Sequence, residues 1–364
     1  MTIVGLRAPS GSVTVALVGG NFTVDPDELE QRAKALRTLV AEQFDEASQA
    51  IRTGGQIGPP GFGVALSPLE AAYVQRLDFM AKDVQGAAEV CRQIADQLQQ
   101  VAAQYRRAED LNTTGFTNSG VPAMGYGEAF GQTQGLPAAA GAAAVVASGI
   151  TVAEIMATSA MMSTAAALCP TFMPAAVAAT LFVADPVGIA SASGNLSLSG
   201  DNLKNFPNAA FDKTCSSATS GWTGEGRDAF VFMTTKVKAH LDELAAYVKT
   251  MGEALGSLLV ALSGLWIALA AMTVPFLTWL IAARAAMAFP GMQWLEAVIQ
   301  TTGAMMAKSV TGGFAALVAV GGLVIAFLNG LAKDLMKLVA LPDSGTAGTP
   351  DLTEFSVGRN FSLS

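Results

Sequence analysis

The most constraining feature of this chain is an apolar stripe that runs unbroken for about five heptads in its first third. Its members alternate spacings of four and three residues: Tyr73, Leu77, Met80, Val84, Ala87, Cys91, Ile94, Leu98, Val101 and Tyr105. This spacing is the 3.5-residue period of a coiled-coil seam. A helix of roughly forty residues with one narrow apolar stripe must pack along a partner of similar length. The chain is therefore predicted to build a helical bundle.

The segment before the stripe supplies part of that partner. Asp25 is a natural N-cap and Pro26 fits the first helical position, so a helix is predicted to start there. The Gly- and Pro-rich residues 53–66 form a loop between the two helices. Residues 25–110 are thus predicted to form a long antiparallel helical hairpin that needs a further helix. Residues 1–24 alternate apolar and polar positions and are predicted to form an extended arm or a short β-hairpin.

Composition divides the rest of the chain into further segments. The polar, Gly-rich residues 111–136 are predicted to form a linker, and the Ala-rich residues 137–190 to form short apolar helices. Residues 191–262 are predicted to begin as an irregular segment rich in Gly, Ser and Asn. A helix with its own apolar stripe then starts at Trp222. The polar tail 341–364 is predicted to be flexible.

Residues 263–340 are the most apolar part of a chain that is apolar overall. Hydrophobic residues make up 51% of the sequence and charged residues 14%, with a mean hydropathy of +0.43. This balance lies between those of ordinary soluble proteins and polytopic membrane proteins. Because Ala supplies much of the apolar content, helix is favoured over sheet and the predicted fold class is all-α.

Two runs in this apolar region are long enough to cross a bilayer. Residues 255–283 and 309–332 contain no charged side chain, and about 20 apolar residues suffice for a span. Pro275 is predicted to interrupt the first run. The sequence leaves open whether the two runs span a membrane or are buried in a bundle of helices.

Several function classes are excluded or disfavoured by residue content. The net charge of −8 gives no basic surface for nucleic acid. Cys91 fits the core, and Cys169 and Cys215 are left free to pair or not, so no disulfide framework or metal site is predicted. The sole histidine, His240, lies beside an apolar stripe and is expected to pack rather than to catalyse. We expect no enzyme activity, cofactor or metal.

Two short motifs lie at the ends of predicted helices. Tyr105 and Glu109 form a Tyr-x-x-x-Glu string where the first long helix closes. Trp222 and Gly224 form a Trp-x-Gly string where a later helix opens, a place where Trp buries much apolar area and Gly permits a turn. In these settings the two motifs resemble the two halves of the export signal carried by substrates of the actinobacterial type VII (ESX) secretion system.

The resemblance covers residues 25–110 and about 205–262, less than half of the chain. The hairpin is similar to those of the PE and EspC-like groups, and the Trp motif is similar to the turn of the WXG family. A chain with both motifs resembles EspB, whereas a hairpin followed by an apolar region resembles EspA and EspE. The resemblance therefore assigns the chain to the class of ESX substrates and not to one of these proteins. One departure is that a WXG protein has a long helix before its turn, where an irregular segment is predicted here.

The resemblance implies a non-enzymatic protein exported by the ESX secretion ATPase, which reads the Tyr motif in that family. A dedicated secretion chaperone or a small WXG protein is a further expected partner. The apolar C-terminal half is expected to form homo-oligomers or to associate with a membrane or envelope layer. No Sec signal peptide is expected, because the apolar run Val13–Val18 is short. The alternatives are a resident membrane protein with a partner-binding hairpin, a pore-forming effector, and a bacteriophage or toxin-module protein.

Overall fold

A computed structural model describes residues 5–7, 13–17, 20–113, 149–220, 222–223 and 225–338. Helices build almost all of these residues, which confirms the predicted all-α class for the described part of the chain. Part of the predicted N-terminal arm forms an antiparallel sheet of three short strands: β1 (Gly5–Arg7), β2 (Val13–Leu17) and β3 (Gly20–Val24). The predicted tail and nearly all of the predicted linker lie outside the described residues.

Nine α-helices follow one another within the described ranges. They are α1 (Pro26–Ala35), α2 (Ala41–Gly54), α3 (Ser67–Thr113), α4 (Val152–Leu168), α5 (Met173–Leu181), α6 (Pro186–Leu203), α7 (Ala209–Ala218), α8 (Glu225–Ala286) and α9 (Leu295–Leu338). The π-helical segments Leu36–Val40 and Lys204–Asn208 continue α1 into α2 and α6 into α7. Short 3₁₀ turns at Val64–Leu66 and Pro170–Phe172 precede α3 and α5.

The first three helices follow the signals in the sequence closely. The Asp25 carboxylate caps α1 by accepting the backbone N–H groups of Asp27 and Glu28 at 3.0 and 3.2 Å. Helices α1 and α2 pack along α3, whose apolar stripe is buried except for the half-buried Tyr105. Burial extends beyond the stripe because α8 and α9 also contact α3. The long helix therefore lies between neighbours rather than at an edge.

The irregular segment predicted within 191–262 is wrong, since α6 and α7 occupy it. The small Gly and Ser residues of this segment allow α6 to cross α8 at close distance, and they do not form a loop. A Cβ atom on Gly252 of α8 would lie 2.7 Å from the Ser193 carbonyl oxygen of α6, and the Ser193 hydroxyl donates to the Gly252 carbonyl at 2.7 Å. Gly200 similarly admits the backbone of α8. Gly and Ser thus let two backbones approach at a distance that larger side chains would prevent.

The predicted interruption at Pro275 is also wrong, because α8 runs through it for 62 residues in all. Proline removes one backbone hydrogen bond from a helix, a loss that packing on both sides of the site offsets. Phe276 and Leu280, just beyond the proline, are buried against the neighbouring helices. In contrast, Pro170 and Pro174 lie at helix starts, where proline is tolerated, and they divide the Ala-rich segment into short helices.

Two packed regions share the long helix α8. The charged bundle is formed by α1, α2, α3, α6, α7 and residues 225–253 of α8. The apolar bundle is formed by α4, α5, residues 254–286 of α8, and α9. The predicted boundary between residues 262 and 263 consequently falls inside a continuous helix.

The core of the apolar bundle is built from aromatic rings. Phe314 of α9 stacks on Phe182 at a centroid distance of 4.5 Å and meets the edge of Trp266 at 5.9 Å. Phe172 lies 5.1 Å from Phe276 of α8. These rings come from α8, α9, the 3₁₀ turn before α5 and the residue that ends α5, and Trp266 at their centre is fully buried. Close packing of aromatic rings of this kind stabilises the centre of the bundle.

Candidate functional site

The residues of the two sequence motifs meet at one end of the charged bundle. Tyr105 lies near the end of α3 and is half-buried, and Trp222 lies in the short connection between α7 and α8. The Trp222 indole N–H, which is only a donor, hydrogen-bonds to the Tyr105 hydroxyl oxygen. Burial raises the pKa of Tyr105, and the hydrogen bond from Trp222 opposes that rise. Two side chains more than a hundred residues apart thereby form one contact.

The Trp222 side chain and backbone are both fixed by contacts with neighbouring residues. Its side chain is 4% exposed and its ring lies 5.7 Å from the ring of Phe230 in the first turns of α8. Its backbone N–H donates to the Thr219 carbonyl at 3.3 Å, which fixes the chain as it leaves α7. A cavity of about 10 Å³ beside the indole is lined also by Leu98 and Met233. That volume is near the minimum for one water molecule, so this end of the bundle is a packed junction and not a ligand pocket.

Arg106 ties the same end of α3 to the start of α1. Its guanidinium donates to both carboxylate oxygens of Glu30, at 2.9 and 2.6 Å, and to Asp27 at 2.6 Å. The hydrogen bond from Arg106 lowers the pKa of Glu30, while Glu30 and Asp27 raise the pKa of Arg106. Sequence reasoning did not single out Arg106. Two features of the sequence could have indicated its role: Arg106 lies inside the Tyr motif, and the first turn of α1 contains acidic residues with which an arginine can pair.

Four helices therefore converge on the Tyr105–Trp222 contact. The beginnings of α1 and α8 and the ends of α3 and α7 lie together, and α1 also contacts α7. The backbone of Glu109 continues α3, four residues beyond Tyr105, and Gly224 lies outside the described residues. We call the assembly of Tyr105, Arg106 and Trp222 with these helix ends the motif end.

A buried polar pair, which sequence reasoning missed, joins α3 to α8 within the charged bundle. The His240 Nε2 atom lies 3.1 Å from an Asp83 carboxylate oxygen, and both side chains are almost fully buried. His240 is packed between helices, as predicted, and in addition it has a carboxylate as a hydrogen-bonding partner, which was not predicted. Asp83 could have been suspected only as an acidic residue directly beside the apolar stripe at Val84. Buried carboxylates require such a partner.

The cysteines form no bond with one another and lie in two different places. Cys91, Cys169 and Cys215 are free buried thiols. Cys169 is in the apolar bundle, with its sulfur 3.4 Å from the Ile299 carbonyl oxygen. Cys215 is in the charged bundle, where burial raises its pKa and the neighbouring Cys91 and Asp212 add to that rise. Among the described residues no group of three His, Cys, Asp or Glu side chains is arranged to hold a metal ion.

The comparisons with known proteins give no relative. No protein-family model matches this chain, and neither the curated proteins nor the solved structures contain a match. The functional interpretation accordingly depends on the motif end and on the surface of the apolar bundle.

Proposed function

We propose that this protein is a non-enzymatic substrate of a type VII (ESX) secretion system, with Tyr105, Glu109, Trp222 and Gly224 as its export signal. The observation that carries the proposal is that Trp222 and Tyr105 meet at one end of the charged bundle, where Trp222 packs beside Leu98 and Val101 of α3. In the resembling proteins the Trp motif and the Tyr motif lie near each other at one end of a helical bundle. Contact between two such short motifs is not expected of chance matches spread through a large fold.

The helices around Trp222 lend further support. The long helix that a WXG protein has before its turn is matched here by α6 and α7, which run almost continuously from Pro186 to Ala218. Helix α8 begins directly after the turn, and α1, α2 and α3 provide the hairpin that ends in the Tyr motif. We accordingly interpret the charged bundle as an antiparallel helical bundle of the PE and WXG kind.

The proposed partners follow from the same surface. The ESX secretion ATPase would read the motif end, where the end of α3 carries Tyr105 at its surface and Glu109 one helical turn further on. A dedicated chaperone or a small WXG protein would cover this bundle before export. The secreted protein would then reside outside the cell or in the envelope, and no nucleic acid is proposed as a partner.

The apolar bundle is proposed to associate with a membrane or envelope layer, or with copies of itself, after export. Three helical stretches are long and apolar enough to cross a membrane: Leu295–Phe327 belongs to the apolar bundle, whereas Pro170–Ala218 and Phe230–Ala286 each extend across both bundles. The same observation favours a second candidate, a resident membrane protein whose charged bundle binds a partner helix. A pore-forming effector is a third. Alkaline carbonate extraction separates the resident protein from the others, because it alone would stay entirely in the bilayer fraction and be absent from culture medium.

The test of the export proposal is secretion of a Tyr105→Ala variant from an actinobacterial host with an active ESX system. We expect it to accumulate folded inside the cell, because the signal has lost its aromatic half. The Tyr105→Phe variant keeps the ring and loses only the acceptor for the Trp222 indole, so its export should fall partly. Gln104→Ala is the matched control, since it alters an exposed neighbour on the same helix. Normal secretion of the Tyr105→Ala variant would contradict the assignment of this protein as an ESX substrate.

A further inference from the structure

The apolar bundle carries most of the large apolar side chains that this protein exposes. Of the 21 exposed large hydrophobic residues in the described ranges, 16 belong to α4, α5, α9, the distal part of α8 or the connection between α8 and α9. Only 28% of the most apolar window of Leu295–Phe327 is buried within the chain. A surface of this kind on a single chain marks a site that another apolar phase or molecule covers.

The exposed apolar surface has the length of a bilayer. Residues 254–283 of α8 and 309–332 of α9 are free of charged side chains along 30 and 24 residues. At a helical rise of about 1.5 Å per residue these runs extend roughly 45 and 36 Å, beyond the roughly 30 Å hydrocarbon core of a bilayer. Glu253 and Arg284 bound the first run, and Lys308 and Lys333 bound the second. A protein partner imposes no such length on an uncharged surface.

The connection between α8 and α9 forms an apolar tip. It contains no charged residue between Arg284 and Glu296, and it exposes Phe289 and Trp294 to 68% and 59%. Gly291, with φ of +86°, turns the chain between them. Arg284 forms an ion pair with Glu296 and donates to the Leu168 carbonyl at 2.9 Å, so the charges at the base of the tip are paired. Aromatic side chains with this setting are typical of a membrane interface.

From these observations we infer that the apolar bundle binds a lipid bilayer through the tip formed by residues 285–295, with the charge-free faces of α8 and α9 following it. The binding is hydrophobic. The chain has a net charge of −8, and lysine or arginine side chains are absent from the tip, so anionic headgroups would not strengthen the contact. Binding to zwitterionic vesicles is therefore expected to equal or exceed binding to anionic ones.

The inference deepens the membrane association proposed above but does not require export. It is tested with the purified full-length protein and vesicles of phosphatidylcholine alone or mixed with phosphatidylglycerol. The protein should float with both kinds of vesicle. Of its four tryptophans, Trp222 and Trp266 are buried, whereas Trp294 and the partly exposed Trp279 lie at or near the tip. Brominated lipids should accordingly quench the fluorescence of Trp279 and Trp294 and leave that of Trp222 unchanged.

Two variants with a charge at the tip make the result specific. Phe289→Glu and Trp294→Glu should each lower vesicle partitioning about tenfold or more, because a carboxylate is costly in the bilayer interior. Phe232→Glu is the matched control. It introduces the same charge at an aromatic residue of the charged bundle that is 63% exposed, and it should float like the unaltered protein.

Three results would overturn the inference. The first is a protein that stays out of the floating fraction with either vesicle. The second is a tip variant that floats as well as the unaltered protein. The third is a dimer that covers the tip in the absence of lipid: light scattering would show twice the mass of one chain, and the fluorescence of Trp294 would be protected from quenching by aqueous iodide. That result would assign the tip to a second copy of the chain. None of these depends on the ESX ATPase, so a failure here is distinguishable from a failure of the export signal.

Discussion

The charged and the apolar bundles share one 62-residue helix but are held together by different forces. In the charged bundle, helices are joined by apolar packing together with ion pairs and polar contacts. They include Arg37–Asp96, Arg92–Asp45, Arg52–Asp78, the pairs of Arg106 with Asp27 and Glu30, Lys238–Asp212, Lys249–Asp201 and the buried His240–Asp83 pair. In the described part of the apolar bundle, the corresponding ion pair is Arg284–Glu296.

The difference shows how one chain could combine the proposed export signal with the proposed membrane association. Exposed ion pairs contribute little stability, yet they fix which faces of the helices meet and keep the surface soluble. The charged bundle therefore presents one defined arrangement at the motif end. The apolar bundle depends on non-directional packing, which a bilayer can replace because lipid tails solvate apolar side chains as well as other helices do.

The largest effect is expected at the aromatic core of the apolar bundle. Trp266→Ala should lower the free energy of unfolding by about 3–5 kcal/mol, because the ring is fully buried against Phe314. Urea unfolding gives the change, and hydrogen exchange shows whether it is confined to the apolar bundle. Its neighbour Ile267, 52% exposed, provides the control, since Ile267→Ala should have little effect. Equal losses for the two variants would contradict the described core.

The crossing of α6 with α8 should tolerate no side chain. Gly252→Val is expected to cost about 1–3 kcal/mol or more, because a Cβ there meets the Ser193 carbonyl and the Ser197 backbone nitrogen at 2.7 Å. In the distal part of the same helix, Gly264 has open space around it. There Gly264→Ala should stabilise the protein by about 0.5–1 kcal/mol. Thermal unfolding of both variants tests the contrast, and a tolerated Gly252→Val would refute the close crossing.

The buried polar pair should matter more than any exposed pair. Asp83→Ala leaves His240 without its carboxylate partner and should cost about 1–3 kcal/mol. Asp78→Ala on the same helix removes a partly exposed carboxylate near Arg52 and Lys82 and should cost at most about 1 kcal/mol. Guanidinium unfolding followed by circular dichroism measures both. The reverse order of effects would show that the charged bundle is not stabilised through this pair.

The smallest effect is expected at the motif end. Arg106→Ala should lower stability by less than about 1 kcal/mol, because its pairs with Asp27 and Glu30 are solvent-exposed. It should nevertheless speed amide exchange in the last turns of α3, which Arg106 links to α1. Arg107→Ala changes an exposed neighbour and should leave exchange as it is. Identical exchange in both variants would mean that Arg106 does not fix this end.

Much of the architecture was predictable because helical periodicity survives in the sequence. The stripes from Tyr73 to Tyr105 and from Phe230 to Leu258 are set by local spacing, and the Asp25 cap is set by residue type alone. The helices α6 and α7 were missed because Gly and Ser favour loops unless a second backbone lies close by. That condition is tertiary, and no local pattern reveals it.

The same distinction applies to the functional residues. Tyr105 and Trp222 were found by their motifs, but their hydrogen bond depends on how four helix ends converge. Arg106 and Asp83 were missed because their roles are defined by partners on other helices, on α1 and α8 respectively. The length of the charge-free runs was visible at once, whereas the exposure of Phe289 and Trp294 required the turn at Gly291.

The central claim is that the motif end directs export and the apolar bundle remains outside the cytoplasm. It is tested most directly by fractionating culture filtrate, membrane and cytosol from matched strains with and without a working ESX ATPase. We predict that the protein reaches the filtrate or the outer envelope only when the ATPase works, and accumulates in the cell otherwise. An unchanged distribution without the ATPase, with all of the protein in a carbonate-resistant membrane fraction, would contradict the account and favour the resident membrane protein.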